Sequence, residues 1–224
     1  MNSSFVVGYH DLHRNAAVNF QLNRWINYLG EDALVEIAPV LPKLTSLPSL
    51  RREFMSLADK AEARGRLAHA AYYARSAEFF MFADDPGKAP ARQRFLDLIW
   101  KAHGLTAGDR HLVPYTDGQC EGFLPAYRFP ATDQQRGTVV VHGGGDSYIE
   151  EFFPLLPAFT GAGYEVIVFE GPGQGGALEE SGLPMTPDWH KPTAAILDHF
   201  GLEDVTMIGV SMGGCLVLLS LIHI

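Results

Sequence analysis

Three uncharged apolar runs, Thr138 to Val141, Val166 to Phe169 and Val205 to Val210, each stop abruptly at or beside a cluster of glycines. Helical patterns around Glu151 to Ala162 and Pro187 to Phe200 separate them. Short continuous apolar runs with glycine punctuation describe strands buried on both faces. Strands of that kind alternating with helices form βαβ units around a parallel sheet. This part of the chain is therefore expected to be α/β, led by an antiparallel hairpin. The hairpin is read from Arg110 to Thr116 and Glu121 to Phe129, two aromatic-rich stretches joined through Asp117-Gly118 and bounded by Pro130.

The residues before Gly104 have a different texture. Leu67, Ala70, Ala71, Ala74, Ala77 and Met81 recur at helical spacing, with Arg66, Arg75 and Glu78 expected on a solvent face. Weaker helical patterns run through Asn15 to Leu29, Leu50 to Ala63 and Pro90 to His103. Gly30, the Pro42 to Pro48 segment, Gly65 and Gly104 break them. The expected organisation is a helical domain at 1–106 followed at 107–224 by an incomplete α/β domain. With 47% hydrophobic and 19% charged residues the chain can bury a core, which excludes intrinsic disorder.

A net charge of −9 opposes an electrostatic grip on phosphate backbones, so nucleic acid is not an expected partner. Cys120 and Cys215 stand far apart, with no disulfide framework or zinc-knuckle spacing, and Met1 to Asp11 lacks the basic and apolar regions of a secretion signal. A cytoplasmic location is expected. Val205 to Ile224 is uncharged and long enough to span a bilayer. Gly209, Ser211, Gly213 and Gly214 at its centre favour a strand turning into a helix instead, and no membrane association is expected.

Chemistry concentrates at the glycine clusters. Gly209-Val210-Ser211-Met212-Gly213 is Gly-x-Ser-x-Gly between a strand and a helical segment. Such a turn forces its central residue into a strained backbone conformation and exposes the side chain. Ser211 is thereby a candidate nucleophile at a helix N-terminus, where backbone N–H groups favour developing negative charge. Val141 leads into His142-Gly143-Gly144-Gly145-Asp146, a loop type that donates a backbone N–H to an oxyanion. The candidate donors are Met212 with Gly144 or Gly145. Taken alone, the glycines around Ser211 also read as allowing close strand-helix packing, and those after His142 as a flexible turn. The third cluster, Gly171-Pro172-Gly173-Gln174-Gly175-Gly176, satisfies the dinucleotide fingerprint Gly-x-Gly-x-x-Gly, but no helical pattern is read directly after it, so a phosphate site is not expected. His10 and His13 have metal-ligand spacing but no third ligand. Trp25, Tyr72, Tyr73, Phe79 and Phe80 read as core more readily than as pocket lining.

These motifs together, with Phe169-Glu170-Gly171-Pro172-Gly173-Gln174-Gly175, resemble the α/β-hydrolase superfamily. Asn19 to Trp25 and Tyr72 to Glu78 resemble its branch with an N-terminal helical domain, which includes 2,6-dihydroxypseudooxynicotine hydrolase-like enzymes and esterases of the fermentation-respiration-switch type. The resemblance implies a serine-dependent hydrolase of an ester, or of a carbon-carbon bond beside a ketone. It also implies a small-molecule substrate, no cofactor, and a helical domain walling the pocket. His142 and an acid after the glycine loop, here Asp146, are implied as substrate-binding residues, while Asp146 also reads as a loop carboxylate that caps the helix beginning near Tyr148. A homodimer is allowed. The alternatives from other classes are a non-catalytic binding module on the same fold, and an acyltransferase.

The family pattern also requires an acid and then a histidine after the serine. No Asp or Glu follows Ser211, and the histidine that does follow, His223, lies about three turns into the next helical segment. Leu219 to Ile224 resembles the translation of a common sequencing-library adapter. The expectation is a truncated reading frame with a non-native tail, inactive as written.

Overall fold

The computed structural model describes residues 8–222. Met1 to Val7 lie outside the described residues, as do His223 and Ile224, and so do the expectations placed on them. The chain forms two compact units, one ending at Ala107 and one beginning at Gly108.

The first unit is helical: α1 (Ala16–Leu29), α2 (Glu31–Ile37), α3 (Leu47–Ala63), α4 (Leu67–Phe79) and α5 (Lys88–His103). The Asn15 side chain starts α1 by accepting from the N–H groups of Ala17 and Val18 at 3.0 and 3.1 Å, satisfying donors that have no intrahelical partner. Leu22, Trp25 and Ile26 then bury one face. The seven-residue α2 escapes a periodicity reading because it offers only Ala33 and Ile37 to the core, directly after the break at Gly30.

Helix α4 corrects the sequence expectation. It packs against both α3 and α5, and every residue from Ala70 to Glu78 is buried. Arg75 and Glu78, expected in solvent, pair with each other at 2% and 0% exposure, and Lys88 from α5 reaches the same carboxylate. With neighbours on two sides, α4 has no free face for them. Burial leaves these charges stable only because they are paired.

The second unit is a five-stranded sheet in the order β1-β2-β4-β3-β5, built from β1 (His111–Thr116), β2 (Glu121–Phe129), β3 (Gly137–His142), β4 (Tyr164–Phe169) and β5 (Val205–Gly209). β1 and β2 form the antiparallel hairpin, β2 pairs antiparallel with β4, and β4, β3 and β5 are parallel. A 3₁₀ turn (Ile149–Leu155) with α6 (Leu156–Thr160), then α7 (Gly175–Glu179), α8 (His190–Phe200) and α9 (Gly213–Leu221), fill the connections. Val140, Ile167 and Phe169 pack with Trp189, Ile196 and Leu216 in the core. Each such apolar side chain contributes about 2 kcal/mol by leaving water.

β5 departs from the expected fully buried strand. It is the sheet's edge and only partly covered, and Val210, Met212, Leu218, Leu221 and Ile222 are exposed. The uncharged stretch from Val205 is divided between this short strand and the nine-residue α9. Among the described residues no helix is long and apolar enough to cross a membrane.

Candidate active site

Parallel pairing brings the strand ends together. His142, Phe169 and Gly209 are in register at the carboxyl edge of β3, β4 and β5, so the loops that follow, Gly143 to Asp146, Glu170 to Gly176 and Val210 to Met212, emerge side by side. Open α/β sheets bind ligands at this edge.

Ser211 sits at the sharp turn between β5 and α9 with φ of 59°, the one non-glycine residue with positive φ among the described residues. An L-residue there costs roughly 1–2 kcal/mol, which the surrounding contacts maintain. The Val210 N–H donates to the His142 carbonyl at 3.1 Å, and the N–H groups of Gly213 and Gly214 close back onto Val210 and Ser211 at 2.9 and 3.1 Å. Ser211 is exposed, so the turn holds its hydroxyl in the open at the start of α9.

The loop after β3 lies directly over this turn. A Cβ placed on Gly144 would be 3.1 Å from the Ser211 Cβ and 3.4 Å from the Met212 nitrogen, and one on Gly145 would be 3.4 Å from the Met212 Cε. The structure thus brings together Ser211, Met212, Gly144 and Gly145. The Gly144 N–H meets the Ser147 hydroxyl oxygen at 3.2 Å. Asp146 is exposed on the same loop.

His142 is placed elsewhere. Its ring is fully buried, 5.2 Å from the Phe169 ring and 5.4 Å from that of Trp189. Nδ1 lies 3.3 Å from the Gly143 carbonyl, which assigns the proton to Nδ1 and leaves Nε2 as a buried acceptor with no hydrogen bond. Burial pushes its pKa down to about 4. His142 is a neutral core group in this arrangement and presents no surface to a substrate beside Ser211.

The third glycine cluster also corrects the sequence reading, because a helix does open there. α7 begins at Gly175, yet the Gly176 N–H donates to Glu170 Oε2 at 2.6 Å and the Ile149 N–H to Glu170 Oε1 at 3.0 Å. A Cβ on Gly175 would fall on that carboxylate. An internal acid therefore occupies the place a phosphate would take. Arg110 accompanies it: burial disfavours its charge, but the bidentate pair with Glu180 and the fields of Glu150 and Glu170 raise its pKa overall.

Gln174, Glu170, Ser147 and Trp189 shape the site without having been singled out from the sequence. Glu170 and Gln174 carried one signal, as polar residues among the glycines that end a buried strand. Away from the sheet, the His13 Nε2 lies 2.8 Å from the Leu44 carbonyl. Trp25, Tyr72 and Tyr73 are buried, and Phe79 and Phe80 are partly buried. No group of three or more metal-ligating side chains occurs among the described residues.

Residues 139–222 match the family model described as the alpha/beta hydrolase fold. Over 70% of its length the chain is 33% identical to the alpha/beta hydrolase psoB of Aspergillus fumigatus, covering 40% of that protein. Among solved structures, 2,6-dihydroxy-pseudo-oxynicotine hydrolase is 26% identical with a TM-score of 0.52, over 77% of this chain and 51% of that one. AbyA5 shares the fold at 22% identity and a TM-score of 0.62, over 81% of this chain and 55% of that one. The chain spans about two fifths of the length of this curated relative and about half of these solved ones.

Proposed function

The chain belongs to the α/β-hydrolase superfamily, and from that premise we propose that it carries the nucleophile and oxyanion half of a serine-dependent hydrolase. The observation that carries this reading is the positive φ of Ser211 between β5 and α9, under the Gly143 to Gly145 loop. Ser211 Oγ attacks a substrate carbonyl, and the N–H of Met212 with that of Gly145 stabilises the oxyanion that forms, the Gly144 N–H being taken by the Ser147 hydroxyl. Asp146, exposed beside Gly145, orients the substrate. The bond cleaved is an ester, or a carbon-carbon bond next to a ketone. Both proceed through a tetrahedral oxyanion and use the same donors.

The general base and its orienting acid are proposed to lie on sequence beyond residue 224, since no Asp or Glu follows Ser211 in this chain and His142 is buried. Residues 1–224 incubated with p-nitrophenyl acetate should show no burst, and Ser211→Ala should change nothing. A burst abolished by Ser211→Ala would place the base within these residues. The nucleophile is tested separately on a longer chain that supplies the base, with a fluorophosphonate probe and peptide mapping. The label should map to Ser211 and vanish in Ser211→Ala, and label spread over other serines and tyrosines would overturn the assignment.

A further inference from the structure

Gln174 is buried, at 1% exposure, within the turn after β4. Its Oε1 accepts from the Gly171 N–H at 3.0 Å, which fixes which end of the amide is which. Its Nε2 donates to the carbonyls of Gly143 at 2.6 Å and Gly144 at 2.9 Å. Both N–H bonds of the amide are thus spent on two consecutive peptide groups of the loop above Ser211.

In a trans peptide the carbonyl of one residue and the N–H of the next point in opposite directions. Anchoring the carbonyls of Gly143 and Gly144 therefore sets the directions of the N–H groups of Gly144 and Gly145. Three successive glycines have no side chains with which to hold themselves, and they sample more backbone conformations than any other sequence. An oxyanion hole works only if its donors are fixed before charge develops. We propose that Gln174 is the positioning residue of the oxyanion loop, its amide holding the Gly143 and Gly144 carbonyls so that the Gly144 N–H is kept on the Ser147 hydroxyl and the Gly145 N–H is preorganised toward a substrate oxygen on Ser211.

Glu170 completes the clamp at the far end by holding Ile149, so the segment after β4 braces the loop after β3 at both ends. The inference rests on reading Gly143 to Gly145 as the oxyanion loop.

The test compares chain 1–224 with Gln174→Met, which keeps the size and removes both donors. Amide exchange over 143–147 should become about tenfold faster, with exchange over 137–141 unchanged. In a longer chain that supplies the base, fluorophosphonate labelling of Ser211 should slow by about tenfold in Gln174→Met at the same folded fraction, a readout that a purely structural role would not move. Unchanged exchange over 143–147, or an increase spread evenly over the sheet, would overturn the proposal. If the longer wild-type chain takes no label at Ser211, the nucleophile reading fails while the exchange measurement on 1–224 still judges the clamp. Should Gln174→Met not fold, Gln174→Asn, which keeps the amide but shortens it, is judged on the same two readouts.

Discussion

Gly209 and Gly213 touch across the turn that carries Ser211: a Cβ built on Gly209 would fall on the Gly213 carbonyl oxygen. That contact lets β5 reverse into α9 within three residues. Gly209→Ala is expected to destabilise the α/β unit by about 3 kcal/mol, because the obstacle is backbone and cannot rotate away. Gly214→Ala, whose Cβ would meet the Gly209 oxygen at an ordinary 3.7 Å, should change stability by less than about 1 kcal/mol. Urea denaturation of the two variants, followed by tryptophan fluorescence, makes the comparison. Equal losses would mean that the turn tolerates a side chain at either place.

Strain at Ser211 should be measurable as stability. Ser211→Gly removes the Cβ that disfavours a φ of 59°, and is expected to be more stable than Ser211→Ala by roughly 0.5–1 kcal/mol after the extra freedom of an unfolded glycine is counted. The difference in urea midpoints reports it. A Ser211→Ala protein as stable as Ser211→Gly would show that the elbow holds no strain.

His142 gives the α/β unit an acid sensitivity whose sign follows from its burial. Its folded pKa is depressed from 6.5 to about 4, so between those values the unfolded chain binds the proton and the folded one does not. Its stabilising effect is therefore complete above pH 6.5 and is lost as pH falls toward 4, by about 3 kcal/mol in all. His142→Leu should flatten the fall in stability over this window relative to wild type, whatever the other titrating groups add. Parallel pH profiles for the two proteins would refute the assignment.

In the helical unit, Glu78 holds two cations while itself fully buried. Glu78→Ala should cost about 3–5 kcal/mol, because it leaves Arg75 buried without its carboxylate. Glu53→Ala, which removes the acid that pairs with Arg52 and Lys43, should cost under about 1 kcal/mol, since each pair includes a largely exposed cation. Thermal melts of both variants separate a core ion pair from surface ones.

How far each feature could be read from the sequence depended on how local its cause is. The Glu121–Phe129 strand was bounded correctly from its flanking Asp117-Gly118 and Pro130, since turn residues act within a few positions. Ser211 and its glycines announced the elbow for the same reason. Arg75 and Glu78 were misplaced because helical periodicity assigns one solvent face, and α4 is packed on two sides by helices the pattern does not register. The glycine cluster from Gly171 was read as having no helix behind it, because Pro184 and Pro187 interrupt the pattern that follows. The helix exists, and Glu170 fills its opening.

The sequence alone determined the alternation of strands and helices, the hairpin, and the serine at a strand-to-helix turn, because hydrophobic period and glycine placement act through neighbouring residues. Tertiary structure alone decided which polar groups go inside and what they hold: His142 between two aromatic rings, Glu170 across the start of α7, and Gln174 on carbonyls 31 and 30 residues away. A buried polar group is stable only where a partner meets it. Those partners come from distant strands, brought within reach by the register of the parallel sheet.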